Sequence, residues 1–473
     1  MEQVKITPEF DRYSEGIVGK YQIPGLALGL SQEGTVVAEK GFGYRNKERG
    51  LPLTSDTVFG IGSITKSFTC VAILQLQERG KLSVHDPVIK HLPEFKTPVD
   101  SYTQEITIHH FMTHTSGLPP LPTLFGALRR SMERDAEAEG TTAPAIPLPY
   151  LDTHEQYLDS LAAQNYEFLG APGEEFSYSN DGYSLLGIIV ERTSGLSYEQ
   201  YIKENILEPI GMKNSVFHLE ELDRHEDVAS LYNSRPEGDR TIVYESNLPW
   251  DAPPMRAAGF LKSTVNDMLK YAEVFLHRGV AGPRRILSPE SVELMTTPHV
   301  RCDYDRYYGY GFMIVPDFYG YKLVEHGGSI KGVSAQMAML PELGLAGVAF
   351  ANLNGVPSET VLRKALTVGL GKPLDASHSM IPVADLSDER LKEYEGVFPS
   401  GEGSLYRFYV EDGSLRIEAA GFPRSALTPH EEDWFSVRLN DIDFRVQFIR
   451  DADNRIFKVA FGFRQVVKAK DGV

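Results

Sequence analysis

The sequence predicts an α/β (α+β) fold in which an antiparallel sheet is flanked by helices and is followed by a small antiparallel β-barrel domain. Strand-like segments near the N-terminus recur after residue 308, and helical and loop signals dominate the chain between them. From Tyr394 onward, short segments of alternating apolar and polar residues follow one another, separated by turn residues. This last pattern is typical of a small antiparallel barrel or sandwich.

The N-terminal segment predicts a helix and a hairpin. Residues 10–20 have the pattern of an opening helix. Residues 25–31 and 34–44 predict two strands around a turn at Glu33 and Gly34. These elements begin the predicted sheet.

A serine begins the next helix. Apolar side chains recur at helical spacing from Ile64 to Leu76, and Gly80 is placed to cap the end. Ser63 therefore lies at the start of this helix, and Lys66, three residues later, lies on the same face. To attack a carbonyl, a serine needs an adjacent base and donors for the oxyanion, and this position offers both. The alternative is that Ser63 is a helix cap and Lys66 a solvated residue, which fits most Ser-x-x-Lys sequences.

The middle of the chain predicts a helical region with one irregular stretch. Helical signals include a capped segment at residues 107–112 and a long helix at residues 181–193. A charged run covers residues 129–139, and the prolines of residues 141–149 exclude a regular helix there. The irregular stretch, between residues 119 and 172, forms either a wall of the site or a passive surface insertion.

The chain then returns to the sheet. A helix is predicted from a cap at Thr264 to about His277, and a second helix at residues 358–369 closes the sheet domain. The strands predicted between these helices cover residues 308–314, 321–326, 334–340 and 344–352.

A change of composition marks a domain boundary. Residues 371–385 are polar and contain prolines, which is typical of a linker. We therefore expect a first domain over residues 1–375 and a β module over residues 386–473. The strands predicted in this module cover residues 406–410, 415–419, 434–437, 444–448 and 456–461.

Two further segments complete a set of three ordered motifs. Tyr178-Ser179-Asn180 precedes an apolar helix, and His326-Gly327-Gly328-Ser329 lies at the end of a predicted strand. With Ser63-x-x-Lys66, and with family-like segments at residues 106–118 and 258–264, the chain resembles the serine beta-lactamase and DD-peptidase superfamily. The resemblance is strongest to class C beta-lactamases, D-amino-acid peptidases and beta-lactamase-like esterases. It spans roughly the first three quarters of the chain, and it implies an all-helical lobe beside the sheet and a lipocalin-like C-terminal domain.

The resemblance implies a role for each residue on the helical side of the site. Ser63 is the nucleophile that forms an acyl-enzyme, and Lys66 is a buried amine whose pKa is lowered. Tyr178 is the second member of the proton-transfer pair. Lys66 and His326 favour its phenolate form or a shared proton. Asn180 ties Lys66 to the substrate amide.

On the strand side, His326, Gly327 and Gly328 take the place of the Lys-Thr-Gly of class C beta-lactamases. The resemblance implies an oxyanion hole made by the backbone N–H groups of Ser63 and Ser329. His326 carries a less reliable positive charge than lysine at neutral pH, and Gly327 lacks the hydroxyl that holds a beta-lactam carboxylate. We therefore expect weak beta-lactamase activity.

Every catalytic motif lies before Gly332, so we expect the C-terminal module to modulate access to the site and not to supply chemistry. The alternative is that its loop at residues 420–424 enters the cleft, as a similar appendage does in some relatives.

His114 is interpreted as a structural histidine at a tight turn. His109 and His110 point in different directions on a helix and make a poor metal pair.

The amino-acid composition limits the classes of partner and cofactor that we expect. A formal net charge of −18 disfavours binding to nucleic acid or to an anionic membrane through a bulk positive field. The two cysteines, Cys70 and Cys302, predict neither a disulfide framework nor a zinc site. The N-terminus lacks a signal-peptide pattern, and no apolar run of about 18 residues occurs, so we expect a cytoplasmic protein. A small-molecule or peptide substrate is expected, with no cofactor, and a homo-oligomer is left open.

The leading functional hypothesis is a serine hydrolase acting on amide or ester bonds. A peptidase on D-amino-acid or small peptide substrates ranks slightly ahead of a carboxylesterase, and a beta-lactamase ranks third. The non-enzyme alternative is a catalytically silent ligand-binding or scaffold protein. The intact set of Ser63, Lys66 and Tyr178 argues against this alternative.

Overall fold

The computed structural model describes residues 4–238, 240–379, 381–420, 422–431 and 433–470. In chain order the helices are α1 Pro8–Lys20, α2 Thr65–Glu78, α3 Asp100–Glu105, α4 Ile108–Met112, α5 Thr123–Glu139, α6 His154–Ala163, α7 Asn180–Ser194, α8 Tyr198–Ile202, α9 Leu219–Leu222, α10 Arg256–Gly259, α11 Val265–Leu276, α12 Pro289–Thr296, α13 Ser358–Gly369 and α14 Asp388–Lys392. A π-helical turn, Lys203–Leu207, follows α8.

The strands up to residue 351 are β1 Gly25–Gln32, β2 Thr35–Asn46, β3 Leu51–Pro52, β4 Phe59–Gly60, β5 Tyr232–Glu237, β6 Arg240–Glu245, β7 Lys262–Ser263, β8 Val280–Ala281, β9 Arg284–Arg285, β10 Val300–Arg301, β11 Tyr307–Tyr308, β12 Met313–Phe318, β13 Tyr321–Ile330, β14 Val333–Leu340 and β15 Leu345–Ala351. The later strands are β16 Gly396–Pro399, β17 Leu405–Glu411, β18 Ser414–Ala419, β19 Ser425–Ala426, β20 Thr428–Pro429, β21 Trp434–Leu439, β22 Ile442–Arg450, β23 Ile456–Phe461 and β24 Arg464–Val467.

A central antiparallel sheet joins the two ends of the first domain. Its strand order is β10-β11-β12-β13-β14-β15-β1-β2-β3, so the N-terminal hairpin pairs with β15, the last of these strands in the chain. Alternate residues of β14 face opposite sides of the sheet, as the pleat requires. Met337 and Met339 pack in the core that contains α2 and α11, whereas Ala338 and Leu340 pack in the core that contains α1 and α13. The predicted arrangement of a sheet between helical layers is confirmed.

The main predicted elements are also confirmed. The opening helix, the hairpin, the nucleophile helix, the cap of α11 at Thr264 and the closing helix α13 all occur close to their predicted bounds. The predicted helix at residues 181–193 begins at Asn180, because the Ser179 hydroxyl caps it by accepting from the Gly182 N–H at 3.1 Å.

The irregular stretch contains two helices, α5 and α6, that the sequence analysis did not predict. Helix α5 spans the whole charged run and ends at Glu139, and the Gly140 that follows it adopts φ +64°. Glycine tolerates this left-handed conformation, which closes many helices. The proline-rich residues 141–149 that follow hold no helix, as predicted.

The position of the His-Gly-Gly segment in its strand corrects a prediction. Strand β13 continues through Ile330, so His326 to Ser329 lie inside the strand and not at its end. The reason is the partner strand: β14 pairs with β13 in one uninterrupted register, which includes Gly327 with Gln336 and Gly328 with Ala335.

The C-terminal module is two antiparallel sheets and not a closed barrel. The strands β16 to β19 form one sheet and β20 to β24 the other, and no strand pairing joins the two sheets within the described part of the module. Both sheets contribute to one apolar core, whose members run from Leu391 to Val466. Pro429, in β20, has no N–H to donate to a ladder, which limits pairing at this edge. The division at residues 375 and 386 stays a prediction.

None of the helices in the described parts of the chain has the length and apolar character needed to cross a membrane.

Strand β13 lies unusually close to the turn that precedes α2. A Cβ added to Gly328 would lie 1.9 Å from the Ile61 carbonyl oxygen, and one added to Gly62 would lie 2.5 Å from the Ser329 nitrogen. Gly62 also has φ +51°, where a larger side chain is strained. Two glycines therefore allow the sheet edge and the serine turn to approach each other.

We expect the substitution Gly328→Ala to destabilise the fold by roughly 1–3 kcal/mol, because the added methyl group overpacks a backbone contact. The matched control is Gly16→Ala in α1, where no atom lies within 4 Å of the new Cβ. This control should raise the free energy of unfolding by roughly 0.5–1 kcal/mol. Chemical denaturation of both variants measures the difference. Equal stability of the two variants would contradict the close approach.

Candidate active site

Ser63 lies in a short 3₁₀ turn, Gly62–Ile64, directly before α2. The Thr65 hydroxyl donates to the Gly62 carbonyl at 2.7 Å and accepts from the Leu261 N–H at 3.2 Å. The Ile61 N–H donates to the Leu261 carbonyl at 2.9 Å. These bonds fix the turn against the segment after α10, so the half-buried Ser63 has a rigid support.

Lys66 is fully buried beside Ser63. Its Nζ lies 3.2 Å from Ser63 Oγ and donates to Asn180 Oδ1 at 2.8 Å and to the Ala258 carbonyl at 2.6 Å. Burial and, secondly, the Arg464 guanidinium hold the pKa of Lys66 well below its usual value. A neutral Lys66 amine in this position can accept the proton of the Ser63 hydroxyl.

Tyr178 completes this side of the site. Its ring centroid lies 4.7 Å from Lys66 Nζ, and its hydroxyl makes no hydrogen bond to any of the described residues. Burial raises the pKa of Tyr178, while the neighbouring Ser63 hydroxyl and Arg464 oppose that rise. The buried phenol hydroxyl is therefore left available to a reacting group.

His114 supports Tyr178 from behind. The two rings lie 4.2 Å apart, and His114 Nδ1 accepts from the Ser179 N–H at 3.0 Å. His114 has φ +58° at the tight turn predicted for it. Burial, followed by the charge of Lys66, keeps the pKa of His114 well below its usual value, so the ring is neutral. These contacts fit the structural role expected from the sequence, and they place that role against Tyr178.

His326 is also buried and neutral. Its Nε2 lies 3.1 Å from the Tyr308 hydroxyl, and its Nδ1 lies 2.6 Å from the Gly327 carbonyl. The carbonyl can only accept, which assigns the proton to Nδ1. Burial and the charge of Lys66 lower the pKa of His326 to about 3. His326 therefore supplies no positive charge to the cleft at neutral pH.

Gly327 and Ser329 shape the strand side of the cleft. A Cβ added to Gly327 would lie 2.9 Å from Gln336 Oε1, which leaves little room for a threonine side chain there. Ser329 is exposed, and its hydroxyl donates to Asn354 Oδ1 at 2.8 Å. Its backbone nitrogen faces the Gly62 turn, next to Ser63.

A hairpin of the C-terminal module contacts the site. The turn between β23 and β24 presents the Phe463 carbonyl, which accepts from the Tyr178 N–H at 2.8 Å. The Gln465 N–H donates to the Ser177 hydroxyl at 3.3 Å. The module therefore fixes the backbone of the Ser177–Tyr178 segment.

An ion pair from the same module covers Tyr178. Arg464 lies 4.9 Å from the Tyr178 ring centroid, and its Nε donates to Glu402 Oε2 at 2.5 Å. The sequence analysis predicted neither residue, and it named the loop at 420–424 only as the alternative segment that would enter the cleft. Gly421 lies outside the described residues. The contacting segment is the hairpin at residues 462–465, whose sequence resembles any other turn between two strands.

The arrangement brings together all the residues that the sequence analysis named for the site. Ser63, Lys66, Tyr178 and Asn180 lie on the helical side, and the strand segment from His326 to Ser329 faces them. Tyr308, the Ala258 carbonyl and Arg464 were not predicted. In the parts of the chain that the structure describes, no group of three or more His, Cys, Asp or Glu side chains could hold a metal ion.

Residues 10–370 match a family model described as Beta-lactamase. The chain is 28% identical over 354 residues to Protein flp of Staphylococcus aureus strain MW2, covering 73% of this chain and 63% of that protein. The chain thus spans less than two thirds of the length of this curated relative.

Two solved structures resemble the chain over almost its full length. The octameric penicillin-binding protein homologue from Pyrococcus abyssi has a TM-score of 0.69 and 31% identity, covering 97% of this chain and 99% of that chain. The crystal structure of SurE has a TM-score of 0.67 and 22% identity, covering 98% of each chain. The SurE likeness shows the fold alone.

The ion pair over Tyr178 predicts opposite shifts in the pH profile of activity. Arg464 lowers the pKa of Lys66 and Glu402 raises it. If neutral Lys66 is required, Arg464→Met should move the acid limb of kcat/KM to higher pH, and Glu402→Gln should move it to lower pH.

The controls are Arg464→Lys, which keeps the charge, and the double variant Arg464→Met with Glu402→Gln, which removes both charges. Both should leave the limb closer to the wild-type position than the single Arg464→Met change does. A limb that moves in the same direction in both single variants would exclude this electrostatic effect.

Proposed function

The chain belongs to the beta-lactamase family over residues 10–370, and from this premise we propose that it is a serine hydrolase that cleaves amide or ester bonds through an acyl-enzyme. The observation that carries the proposal is the buried Lys66 amine, which lies within hydrogen-bond distance of both Ser63 Oγ and Asn180 Oδ1. Helix caps and solvated lysines do not have this environment.

The first step is attack by Ser63 on the substrate carbonyl. Lys66, in its neutral form, accepts the Ser63 proton as the Oγ–carbon bond forms. The backbone N–H groups of Ser63 and Ser329 are the proposed donors to the oxyanion, since the close approach of β13 brings them to the same side of the turn.

The second step expels the leaving group. Tyr178 is the proposed proton donor, because its hydroxyl is buried beside Ser63 and has no other partner among the described residues. Tyr178 is then left as a phenolate, and the protonated Lys66 beside its ring transfers a proton to it, which restores neutral Lys66 and neutral Tyr178. Water then cleaves the acyl-enzyme, and in this half of the reaction the same groups transfer protons in the reverse direction.

Among substrates, we place D-amino-acid or small peptide amides first. Asn180 holds Lys66 through its carbonyl oxygen, which leaves its amide N–H₂ group free to donate to a substrate carbonyl. The strand side offers backbone groups and a neutral His326 in place of a lysine. This environment favours uncharged groups next to the scissile bond.

Carboxylesterase and beta-lactamase activities are the two alternatives to peptidase activity. A carboxylesterase uses the same acyl-enzyme, and an ester carbonyl can also accept from the Asn180 amide. Beta-lactamase activity is expected to be weak, because Gly327 has no hydroxyl to hold a beta-lactam carboxylate and the buried His326 is uncharged. A silent scaffold would show none of the three activities.

The domain division and the oligomeric state of the chain are also proposals. We retain the division into a hydrolase domain at residues 1–375 and an antiparallel β module at residues 386–473. The Pyrococcus abyssi homologue is described as octameric, which supports a homo-oligomer for this chain. Light scattering on the purified protein measures its mass in solution.

Ser63 is expected to carry the covalent intermediate. A fluorophosphonate probe should label Ser63, and mass spectrometry of the digested protein should locate the adduct. Ser63→Ala should lower kcat/KM on the best substrate by at least about 10⁴-fold. The matched control is Ser67→Ala, one turn along α2, whose hydroxyl donates to the Ile64 carbonyl. It should still be labelled. A fully active Ser63→Ala enzyme would reject the proposal.

Lys66 and Tyr178 are expected to act as one proton-transfer unit. Lys66→Met and Tyr178→Phe should each lower kcat by roughly 10²–10⁴-fold, the usual contribution of a general acid or base. The double variant should lose little more than the worse single variant. Kinetics on a D-amino-acid amide, a short-chain ester and a cephalosporin measure the cycle. Strictly additive losses would contradict a shared role, and efficient cephalosporin turnover would contradict the substrate ranking.

A further inference from the structure

A cavity of about 300 Å³ lies beside the nucleophile turn, and neither Ser63, Lys66 nor Tyr178 lines it. This volume is at the lower end of the range for small-molecule sites. The walls are mainly apolar and include Phe59, Leu222, Leu231, Trp250, Ile330 and Val333. The cavity is therefore suited to a compact apolar group.

One wall of this cavity carries a buried lysine that the hydrolase chemistry does not use. Lys262 is 4% exposed, and its Nζ donates to the Phe217 carbonyl at 2.5 Å. No carboxylate of the described residues forms an ion pair with it. The nearby Asp251 is already bound to Arg256 at 2.5 and 3.1 Å. Burial lowers the pKa of Lys262 to about 8, so the amine remains mostly protonated at neutral pH.

The second lysine of the cavity is neutralised. Lys331 Nζ donates to Asp135 Oδ1 at 2.5 Å and to the Leu248 carbonyl at 2.9 Å. Two other ionisable residues line the cavity: Asp223 is exposed, and His225 is half-buried. Asp251, Glu199 and Glu220 act on Lys262 only through longer-range charge, so within the described part of the chain Lys262 is the buried lysine of this cavity that forms no ion pair.

A buried ammonium without a counter-charge is unfavourable, and a carboxylate beside it would compensate the charge. An ammonium has three N–H donors, and the Phe217 carbonyl uses one of them. The remaining two donors suit an anionic group, and the apolar walls suit an apolar body. The cavity therefore fits a ligand with one anionic end and one apolar body.

We propose that this cavity binds a small organic carboxylate with an apolar body, with the carboxylate on Lys262 and the body against Trp250 and Ile330. The site is separate from the proposed hydrolase site. Gly60 and Ile330 line the cavity, and they precede the Ser63 turn and follow Ser329 respectively. An occupant therefore contacts both segments that frame the nucleophile.

The test uses octanoate as the probe and octanol as the uncharged probe of equal length, with binding to the full-length protein measured by calorimetry. The wild-type protein should bind octanoate more tightly than octanol. Lys262→Met should weaken octanoate binding by roughly tenfold to a hundredfold, the range for loss of a charge-assisted hydrogen bond. Octanol binding should change by less than about twofold, since the change conserves side-chain size.

Lys262→Gln is the second variant, because its amide can still donate to the Phe217 carbonyl while the charge is lost. It should weaken octanoate binding as Lys262→Met does. Ser63→Ala should bind octanoate as the wild type does, which places the probe outside the catalytic cleft. Equal octanoate affinity in the wild type and either Lys262 variant would overturn the proposal. Wild-type protein that binds octanoate no more tightly than octanol would overturn it without any variant.

Discussion

The burial of the Lys66 amine is the interaction on which the rest of the site depends. Its hydrogen-bond partners are all uncharged oxygen atoms, from Ser63 in the turn before α2, Asn180 at the start of α7 and Ala258 in α10. Three separate elements must therefore converge on one nitrogen atom. Because these partners do not repay the cost of burying an ammonium, the neutral amine is favoured, and the neutral amine is the form that can act as a base.

The surroundings of this amine are built from three sides. The sheet approaches through Gly62 and Gly328, where larger side chains would clash with backbone atoms. The helical lobe holds Tyr178 against the His114 ring. The C-terminal module covers the same tyrosine with Arg464 and binds its backbone through the Phe463 carbonyl. The tyrosine is thus positioned by all three parts, although its hydroxyl bonds to none of the described residues.

Local patterns predicted most of the sheet domain and its motifs. Helical spacing located α2, and the i, i+3 relation placed Lys66 beside Ser63, because both signals depend on neighbours in sequence. The contacts of the hairpin at residues 462–465 have no local signal, since Gln465 meets Ser177 across 288 residues. The continuation of β13 through two glycines also depended on a distant segment, the register of β14. The helices α5 and α6 were not predicted, because the proline-rich residues 141–149 between them are typical of irregular structure.

The contact between the hairpin at residues 462–465 and Ser177 means that the site is completed late in the synthesis of the chain. Ribosomes make about 5–20 residues per second, so the chain that separates Ser177 from Gln465 takes on the order of tens of seconds to appear. Once Ala351 has been added, the serine turn, Lys66 and every strand of the central sheet are translated, whereas Glu402 and Arg464, which cover Tyr178, are not. A nascent chain can thus contain every motif residue without the assembled environment of Tyr178, which forms only once the C-terminal module has docked.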